Sequence, residues 1–495
     1  MKLATKAVYY VDFGDNEGEL LTSSTADIIA IIKSSSKIVK FIVVQGDIIQ
    51  DDLVRLSNEC NKIPILIKGV EKNLVSINRT FNTNLVFNNC KFKSLSFIGS
   101  GQHINLVGIT NKCKIDYLII EDITIAKLLI NDWNEIANVS ILKSQTDLHL
   151  SETNLEMNID INQSKVHINA KNLNATCKIS NSTVYALNLV HFKGTTVFNN
   201  SHIHNKTTIK NSDNAIIEFL RTDFSNGAML ILDELLNTKI RFVQCKSNDS
   251  CEFNLIKGEN TTLIINQCNF SDVIKFIGER LNYETIHLIL KDTVFRELVI
   301  FDKTQPENLE LINTLFQKGV SIPINDNYSQ NIHSSVWCVL KNQALQSNDK
   351  IKALTYRRLE MDSYTKELKN QPDKLPEKIV LYLNKYSNNH GLSWTQGVLF
   401  TLAALITFYT LFVWSGNEFF FSYLPKDILW FKQSFWEGAL SFLWLPSIED
   451  EMKVLKSGLS RDSFIVNILS FLLGKIFIAF GIYQTVAAFR KHGKI

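Results

Sequence analysis

The sequence predicts a mainly β solenoid of short stacked parallel strands, followed by an α-helical linker and C-terminal transmembrane helices. Three observations carry this. Residues 395–415, TQGVLFTLAALITFYTLFVWS, form 21 residues without a charge. At about 1.5 Å rise per residue, about 20 apolar residues cross a hydrocarbon core of about 30 Å. Between residues 76 and 328, short apolar runs meet Asn, Ser, Cys or Thr corners at a recurring interval. After Pro323 the apolar period changes from that of strands to that of helices.

Residues 1–75 read as a small α/β entry module that closes the N-terminal end of the solenoid. Residues 8–11 and 39–44 (VKFIVV) are rich in β-branched residues and suit strands, as do residues 63–67 (IPILI). Residues 25–33 suit a short helix with Ser24 or Thr25 as N-cap, and residues 51–60 a second. Gly14 and Gly18 make no phosphate cradle.

Residues 76–328 carry the repeat. LVFNNCKF (85–92), TVFNNSHI (196–203), LIINQCNF (263–270) and LILKDTVF (288–295) share one template, apolar-x-apolar-x-polar-small-x-apolar. The corners Gln244, Gln267, Asp292 and Asn313 stand 23, 25 and 21 residues apart, while Asn200, Asn211 and Thr222 stand 11 apart. A period of about 20–25 residues signals a solenoid of about ten coils, with room for two or three short strands per coil. Stacked at about 4.8 Å, alternate residues point inward and corner Asn and Thr meet their equivalents. Cys90, Cys245 and Cys268 read as one corner position, and the motif-poor stretch 104–141 as a place for insertions. The pattern resembles the right-handed parallel β-helix and the related pentapeptide-repeat solenoid. The strict five-residue A(D/N)LxX rule is not kept, so the looser β-helix is the expectation. Many β-helix proteins cleave acidic polysaccharides with carboxylates and a basic residue, and Glu218, Arg221, Thr222 and Asp223 could be drawn into such a set. No carboxylates stack at successive turns, so a solvated face and no enzyme are expected.

Residues 329–394 read as a helical linker or collar. Residues 336–346 and 350–369 are helical, separated by Ser347, Asn348 and Asp349, any of which suits the second N-cap. Ile351, Leu354, Arg358, Met361, Tyr364 and Leu368 form one stripe of the second helix, with Lys352, Arg357, Glu360 and Glu367 opposite. A turn bracketed by Pro372 and Pro376 leads into an amphipathic helix that ends with Gly391 at C′. Such a collar would oligomerise, transmit force, or seal the open end of the solenoid.

Residues 395–495 read as a membrane unit with spans at 395–415 and 463–488. The second span holds Asn467, Lys475 and Gln484. A lysine near the bilayer centre costs about 3 kcal/mol unless it snorkels, pairs or faces water, so Lys475 is expected in a pore or between helices, with snorkelling as the alternative. Gly474 and Gly481 share a helix face and suit close packing or bending. Residues 428–445, ILWFKQSFWEGALSFLWL, hold Lys432 and Glu437 between Pro425 and Pro446 and suit a re-entrant or interfacial helix. The candidate pore or gating residues are Lys475, Asn467, Gly474, Gly481, Glu437 and Lys432. The expected interface anchors are Trp394, Trp414, Trp430, Trp436 and Trp444. The TVGYG potassium filter is absent. Basic residues flanking the spans do not decide topology. The start, MKLATKAVYYVDFGDNEGEL, has only the five-residue apolar run 7–11 and does not read as a secretory signal. Both termini are therefore expected in the cytosol.

Three runs, KNQALQSNDKIKALTYRRLEMDSY, IVLYLNKYSNNHGLSWTQGVLFTL and LLGKIFIAFGIYQTVAAFRKHGK, together resemble a group of bacterial membrane proteins. These join a pentapeptide-repeat or β-helix domain to a helical linker and an ion-channel-like C-terminal unit. The resemblance implies a protein of the inner (cytoplasmic) membrane and a pore, and it carries over no catalytic residue. The expected function is a membrane-embedded homo-oligomer, a pore or channel-like effector gated or positioned by a cytosolic β-helix. That domain would sense a protein or small-molecule ligand, an architecture suited to bacterial stress or anti-phage defence. The alternative is a β-helix binding or scaffold protein tethered to the bilayer without a pore. Eight scattered cysteines with no CxxC predict neither metal site nor disulfide framework, no cofactor is expected, and a net charge of +3 makes no case for nucleic acid.

Overall fold

Each coil of the solenoid turns at a residue with left-handed backbone. The structure is a computed structural model that describes residues 8–12, 19–22, 24–34, 41–45, 50–60, 63–78, 80–131, 134–151, 156–278, 287–302, 309–322, 332–416, 436, 439–440, 442–443 and 461–493. One column of corners runs through Lys143, Gln163, Asn181, Asn200, Arg221, Gln244, Gln267, Asp292 and Asn313, all with φ between 48° and 55°. The next residue is small and buried, from Ser144, Ser164, Ser182 and Ser201 to Cys245, Cys268, Thr293 and Thr314. Its side chain donates back two residues, as Ser164 Oγ does to Asn162 O and Thr293 Oγ1 to Lys291 O, both at 2.8 Å. The same hydroxyl accepts from the preceding coil: Ser144 N donates to Ser164 Oγ, and Ser164 N to Ser182 Oγ, both at 3.1 Å. A buried hydroxyl is thereby satisfied along the axis, which removes its desolvation cost. Outside, a second ladder runs from Asn200 Nδ2 to Asn181 Oδ1 (2.8 Å) and from Asn181 Nδ2 to Asn162 Oδ1 (3.2 Å).

The result is a parallel β-solenoid of about 12 turns. Strands alternate inward and outward residues and stack in parallel, with register shifts at some rungs, as between Val166 and His167. Val166, Ile168 and Ala170 of Lys165–Lys171 are buried, and this strand pairs with Gln145–Ser151 on one side and Thr183–Val190 on the other. Up to Asp223–Asp233 each coil has two strand columns. Asp223–Asp233 then pairs with both Lys246–Ser247 and Cys251–Leu255, and from there each coil has three. The corner spacing records the change. Lys143, Gln163, Asn181 and Asn200 are 20, 18 and 19 residues apart, and the later corners 21 to 25. The interior widens accordingly. From Phe198 onward the interior holds three phenylalanine ladders: Phe198–Phe219–Phe242 (4.8 and 4.7 Å), Phe253–Phe276–Phe301 (5.0 and 4.9 Å) and Phe270–Phe295–Phe316 (both 5.3 Å).

Several expectations are corrected. The coils begin before residue 76, because Ile65–Lys68 already pairs with Phe81–Asn88, and those between Lys143 and Asn200 are short, so there are about 12. The described residues of 104–141 show no break in the coil. The long strands Lys91–Thr110 and Lys114–Ile130 lie side by side there, the first bending at Gly101 (φ +69°). Cys90 is not in the column of Cys245 and Cys268. It turns with Asn89 in the other corner, where Cys90 N donates to Cys113 Sγ at 3.3 Å. The second corner also holds polar-small pairs, Asn89–Cys90 and Asn211–Ser212, beside Asn172–Leu173 and His191–Phe192, so at Cys90 the template alone cannot tell the two columns apart. Likewise Asn200 and Asn211 are successive corners of one coil, and Arg221, not Thr222, makes the next turn. In the entry module Val8–Asp12 pairs antiparallel with Phe41–Gln45 and with Glu19–Thr22, a strand not foreseen. Phe41–Gln45 then pairs parallel with Ile65–Lys68, so the module is hydrogen-bonded onto the first rung and covers that edge. Helices α1 (Thr25–Ser34) and α2 (Gln50–Glu59) fall where expected.

Gly194 sits in a strand at φ +109°, and a Cβ there would lie 2.3 Å from the Ala175 carbonyl oxygen of the adjacent coil. Gly319 has a similar φ of +112° with nothing near. Gly194→Ala should lower the thermal unfolding midpoint well beyond Gly319→Ala, which bears only the backbone strain of about 1–3 kcal/mol. Equal losses in the two variants would show that the close approach to Ala175 does not matter.

Chain contacts divide the protein into two compact units, Met1–Tyr328 and Ser329–Ile495. The second begins with α3 (Ser334–Gln346) and α4 (Lys350–Glu367), an antiparallel pair. Asp349 is the α4 N-cap, accepting from Lys352 N at 3.1 Å. The predicted α4 stripe is rotated. Ile351 is 63% exposed, and the buried line is Ala353, Tyr356, Leu359 and Ser363. Polar anchors set this face. Lys341 pairs with Glu360 at 2.7 Å, Trp337 Nε1 donates to Ser363 Oγ at 3.1 Å, and Glu367 accepts from Ser334 N at 2.6 Å, capping α3. Then come α5 (Leu375–Asn388), α6 (Trp394–Gly416) and α7 (Arg461–Gly493).

Candidate functional site

Trp394–Phe412 of α6 and Ile468–Arg490 of α7 are long and apolar enough to cross a membrane. The two helices pack through small residues at matching spacing. Gly397 and Thr401 of α6 meet Thr485 and Gly481 of α7. A Cβ on Gly397 would lie 3.1 Å from Thr485 Cα, and one on Gly481 3.2 Å from Thr401 Cα. Each threonine hydroxyl donates to its own helix, Thr401 to Gly397 O and Thr485 to Gly481 O, both at 2.8 Å. Neither polar group is left open in an apolar setting. Further along, Gly474 makes room for aromatic rings, since a Cβ there would come within 2.8 Å of Phe408 and 3.0 Å of the Phe442 ring. Phe442 joins Ala404, Leu405, Phe412, Phe471 and Ile478 in one buried cluster.

Lys475 sits on this cluster. Its Nζ donates to the Phe442 carbonyl oxygen and lies 4.6 Å from the Phe442 ring centroid and 5.3 Å from that of Phe471. The ammonium is held between helical segments by a carbonyl dipole and two aromatic faces. Of the other predicted site residues, Gly474 and Gly481 are packing positions within the hairpin. Trp394 (46% exposed) and Trp436 (42% exposed) are open on the surface. Asn467 lies on α7 and Trp414 on α6. Trp430, Lys432, Glu437 and Trp444, with most of the predicted helix 428–445, lie outside the described residues.

Where α5 meets the hairpin there is a polar junction that no motif in the sequence announces. Asn389 (φ 50°), His390 (φ 56°) and Gly391 (φ 93°) are successively left-handed, so Asn389, not Gly391, ends α5. Asn388 Nδ2 donates to Gln484 Oε1 at 2.5 Å and Gln484 O at 3.2 Å, and Gln484 Nε2 donates to Asn384 Oδ1 at 2.8 Å. Asp362 of α4 holds the other side, with Lys385 Nζ at 2.6 Å and the buried His390 Nε2 at 3.7 Å. Burial works to raise the Asp362 carboxyl, but His390 and Lys385 outweigh it and hold it at about 2. The sequence signal for this junction is Gln484 near the end of an apolar span; its partners come from tertiary packing.

Because the folded value lies below the ordinary 3.8, the Asp362 contribution is complete above pH 4 and is lost as pH falls toward 2. Asp362→Asn should cost about 2 kcal/mol at pH 7. The gap in thermal midpoint between variant and parent should close toward pH 2. A gap that does not change with pH would show that packing, not charge, holds the junction.

On the solenoid, one outward face carries an aromatic ladder. The rings of His167, Tyr185 and His204 stack at 5.2 and 5.6 Å. His204 Nδ1 shares a hydrogen with Ser225 Oγ at 2.8 Å, and His149 lies 3.1 Å from Asp147. The charged residues considered for polysaccharide cleavage each engage a partner outside the set, Arg221 donating to Asn199 Oδ1 at 3.3 Å. Glu218 pairs with Arg241 at 2.9 Å, Asp223 with Lys246 at 3.3 Å, and Thr222 is buried next to the corner. Seven of the eight free cysteines are buried, and burial pushes the Cys177 thiol up to about 12 and the Cys251 thiol up to about 11, so both stay protonated. Among the described residues, no group of three His, Cys, Asp or Glu is placed to hold a metal ion. No protein-family model, curated protein or solved structure matches this chain.

Proposed function

We propose that the protein is a non-enzymatic binding protein whose β-solenoid is attached to a lipid bilayer by the α6–α7 hairpin. One observation carries the reading: the hairpin is inside-out in polarity. Thr401, Thr485, Lys475 and Gln484 are bonded within it or at its junction. Leu399, Leu402, Leu469, Ile476, Val486 and Phe489 face outward, 47 to 65% exposed. Such a surface suits lipid and costs free energy in water. The face bearing His167, Tyr185 and His204 is the place for a ligand, because stacked rings offer a rigid platform with polar edges. The full chain should float with vesicles and resist extraction at high pH; recovery in the soluble fraction would remove the reading.

A pore built from several copies is the second reading, and Lys475 is the observation that favours it, an ammonium placed within a span. Vesicles holding the purified chain should then pass ions, and Lys475→Ala should change that flux. With Lys475 bonded to Phe442 O inside the hairpin, the expected result is no flux from either protein. Lysine-dependent flux would put the pore first.

A further inference from the structure

Helix α5 is amphipathic in the wrong sense for a helix facing water. In its C-terminal half the polar side chains point into the protein: Asn384 and Asn388 to Gln484, Lys385 to Asp362, and Ser387 is fully buried. Leu381 is buried, but most of the other apolar side chains point out. Leu375 (59% exposed), Ile379 (51%), Tyr382 (47%) and Tyr386 (65%) recur every three or four residues and so form one stripe. The Tyr382 and Tyr386 rings stack at 6.4 Å. The polar anchors fix the helix about its own axis, so this stripe cannot be turned inward without breaking the junction. We infer that the α5 stripe is a membrane-surface element, lying in the headgroup–acyl boundary of the bilayer.

The occupant is lipid for two reasons on the same helical unit. The stripe is joined through the Asn389–Gly391 turn to Trp394, itself 46% exposed at the start of the apolar span. Tyrosine and tryptophan, apolar in body and polar at the tip, are the side chains that settle at that depth. The stripe would enter about 5–10 Å below the surface, less deeply than the spans. It would also give the α4–α5 junction a fixed height on the membrane.

This rests on the membrane reading of the hairpin, and the test separates the two. Ile379→Cys, Tyr386→Cys and Leu399→Cys are each made in a Cys338→Ser chain, since the other native thiols are buried. Each is labelled with a small fluorophore in the full chain, in phosphatidylcholine–phosphatidylglycerol vesicles. Quenching is compared for nitroxide near the headgroup, nitroxide mid-chain, and a soluble quencher. The labels at 379 and 386 should be quenched at least about twofold more by the shallow nitroxide than by the deep one, and that at 399 by lipid nitroxide but not by the soluble quencher. Quenching of 399 by lipid with 379 and 386 open to the soluble quencher would overturn the α5 assignment alone. Shielding of 379 and 386 from every quencher would overturn it too, in favour of a protein cover. Absence of lipid quenching at 399 would remove the membrane reading itself.

Discussion

Gly481→Leu should force α6 and α7 apart and lower the stability of the helical unit. The Cβ alone would stand 2.4 Å from Thr401 Oγ1 and 3.2 Å from Thr401 Cα, which is backbone and cannot rotate away. The hydroxyl cannot yield freely either, because it is bonded to Gly397 O at 2.8 Å. A leucine adds three more heavy atoms to a closed seam, and overpacking of this kind costs about 1–3 kcal/mol or more. The helices would move toward the about 8–10 Å separation of ordinary side-chain packing. Because Asn388 and Asn384 bond to Gln484 on the same helix, the displacement should loosen the α5 junction as well. Spin labels on the outward positions Leu402 and Ile482 should report a longer and broader distance distribution. Gly397→Leu should give the same change, and the double variant less than the sum, since both residues act on one seam. An unchanged distance in both single variants would show that the small residues do not hold the hairpin.

The features legible in the sequence are those whose physics is local. A left-handed corner next to a small buried residue is a two-residue requirement, so Gln244–Cys245, Gln267–Cys268, Asp292–Thr293 and Asn313–Thr314 are legible as corners. Which of two corners a pair occupies depends on the whole coil, and for that reason the template misplaces Cys90. The α4 stripe fails for a similar reason. Hydrophobic period assumes that apolar contacts choose the buried face, whereas Lys341, Trp337 and the α3 N-terminus choose it through Glu360, Ser363 and Glu367. The two helices able to cross a membrane are legible from length and composition. Lys475 stands out as a charge in an apolar run, but its partner is a backbone carbonyl at Phe442, 33 residues away and without a sequence signature. The Gly397–Thr401 pair does have one, because the same Gly-x3-Thr spacing recurs at Gly481–Thr485.

The second large effect is expected from Phe242→Ala. Phe242 is fully buried, stacked on Phe219 at 4.7 Å and in contact with Phe224 at 5.4 Å and Phe253 at 5.6 Å. Truncation of such a ring costs about 3–5 kcal/mol. In a solenoid each coil touches only its neighbours, so the loss is not spread over the whole fold but falls on the interfaces to either side. Phe242 also stands just where the coil passes from two strands to three, after Asp223–Asp233 divides its pairing between Lys246–Ser247 and Cys251–Leu255. The variant should therefore lose its single cooperative transition, with amide protection falling first in residues 215–255 while residues 91–150 keep theirs. Phe316→Ala, in the last coil with one stacked neighbour at 5.3 Å, should cost less and fray only that end. Ile216→Ser, at an outward position 41% exposed, should change stability by less than about 0.5 kcal/mol. If Phe242→Ala and Phe316→Ala lowered protection equally along the whole solenoid, the coils would be folding as one unit, and a ligand held at the His167–Tyr185–His204 ladder would be felt at the far end.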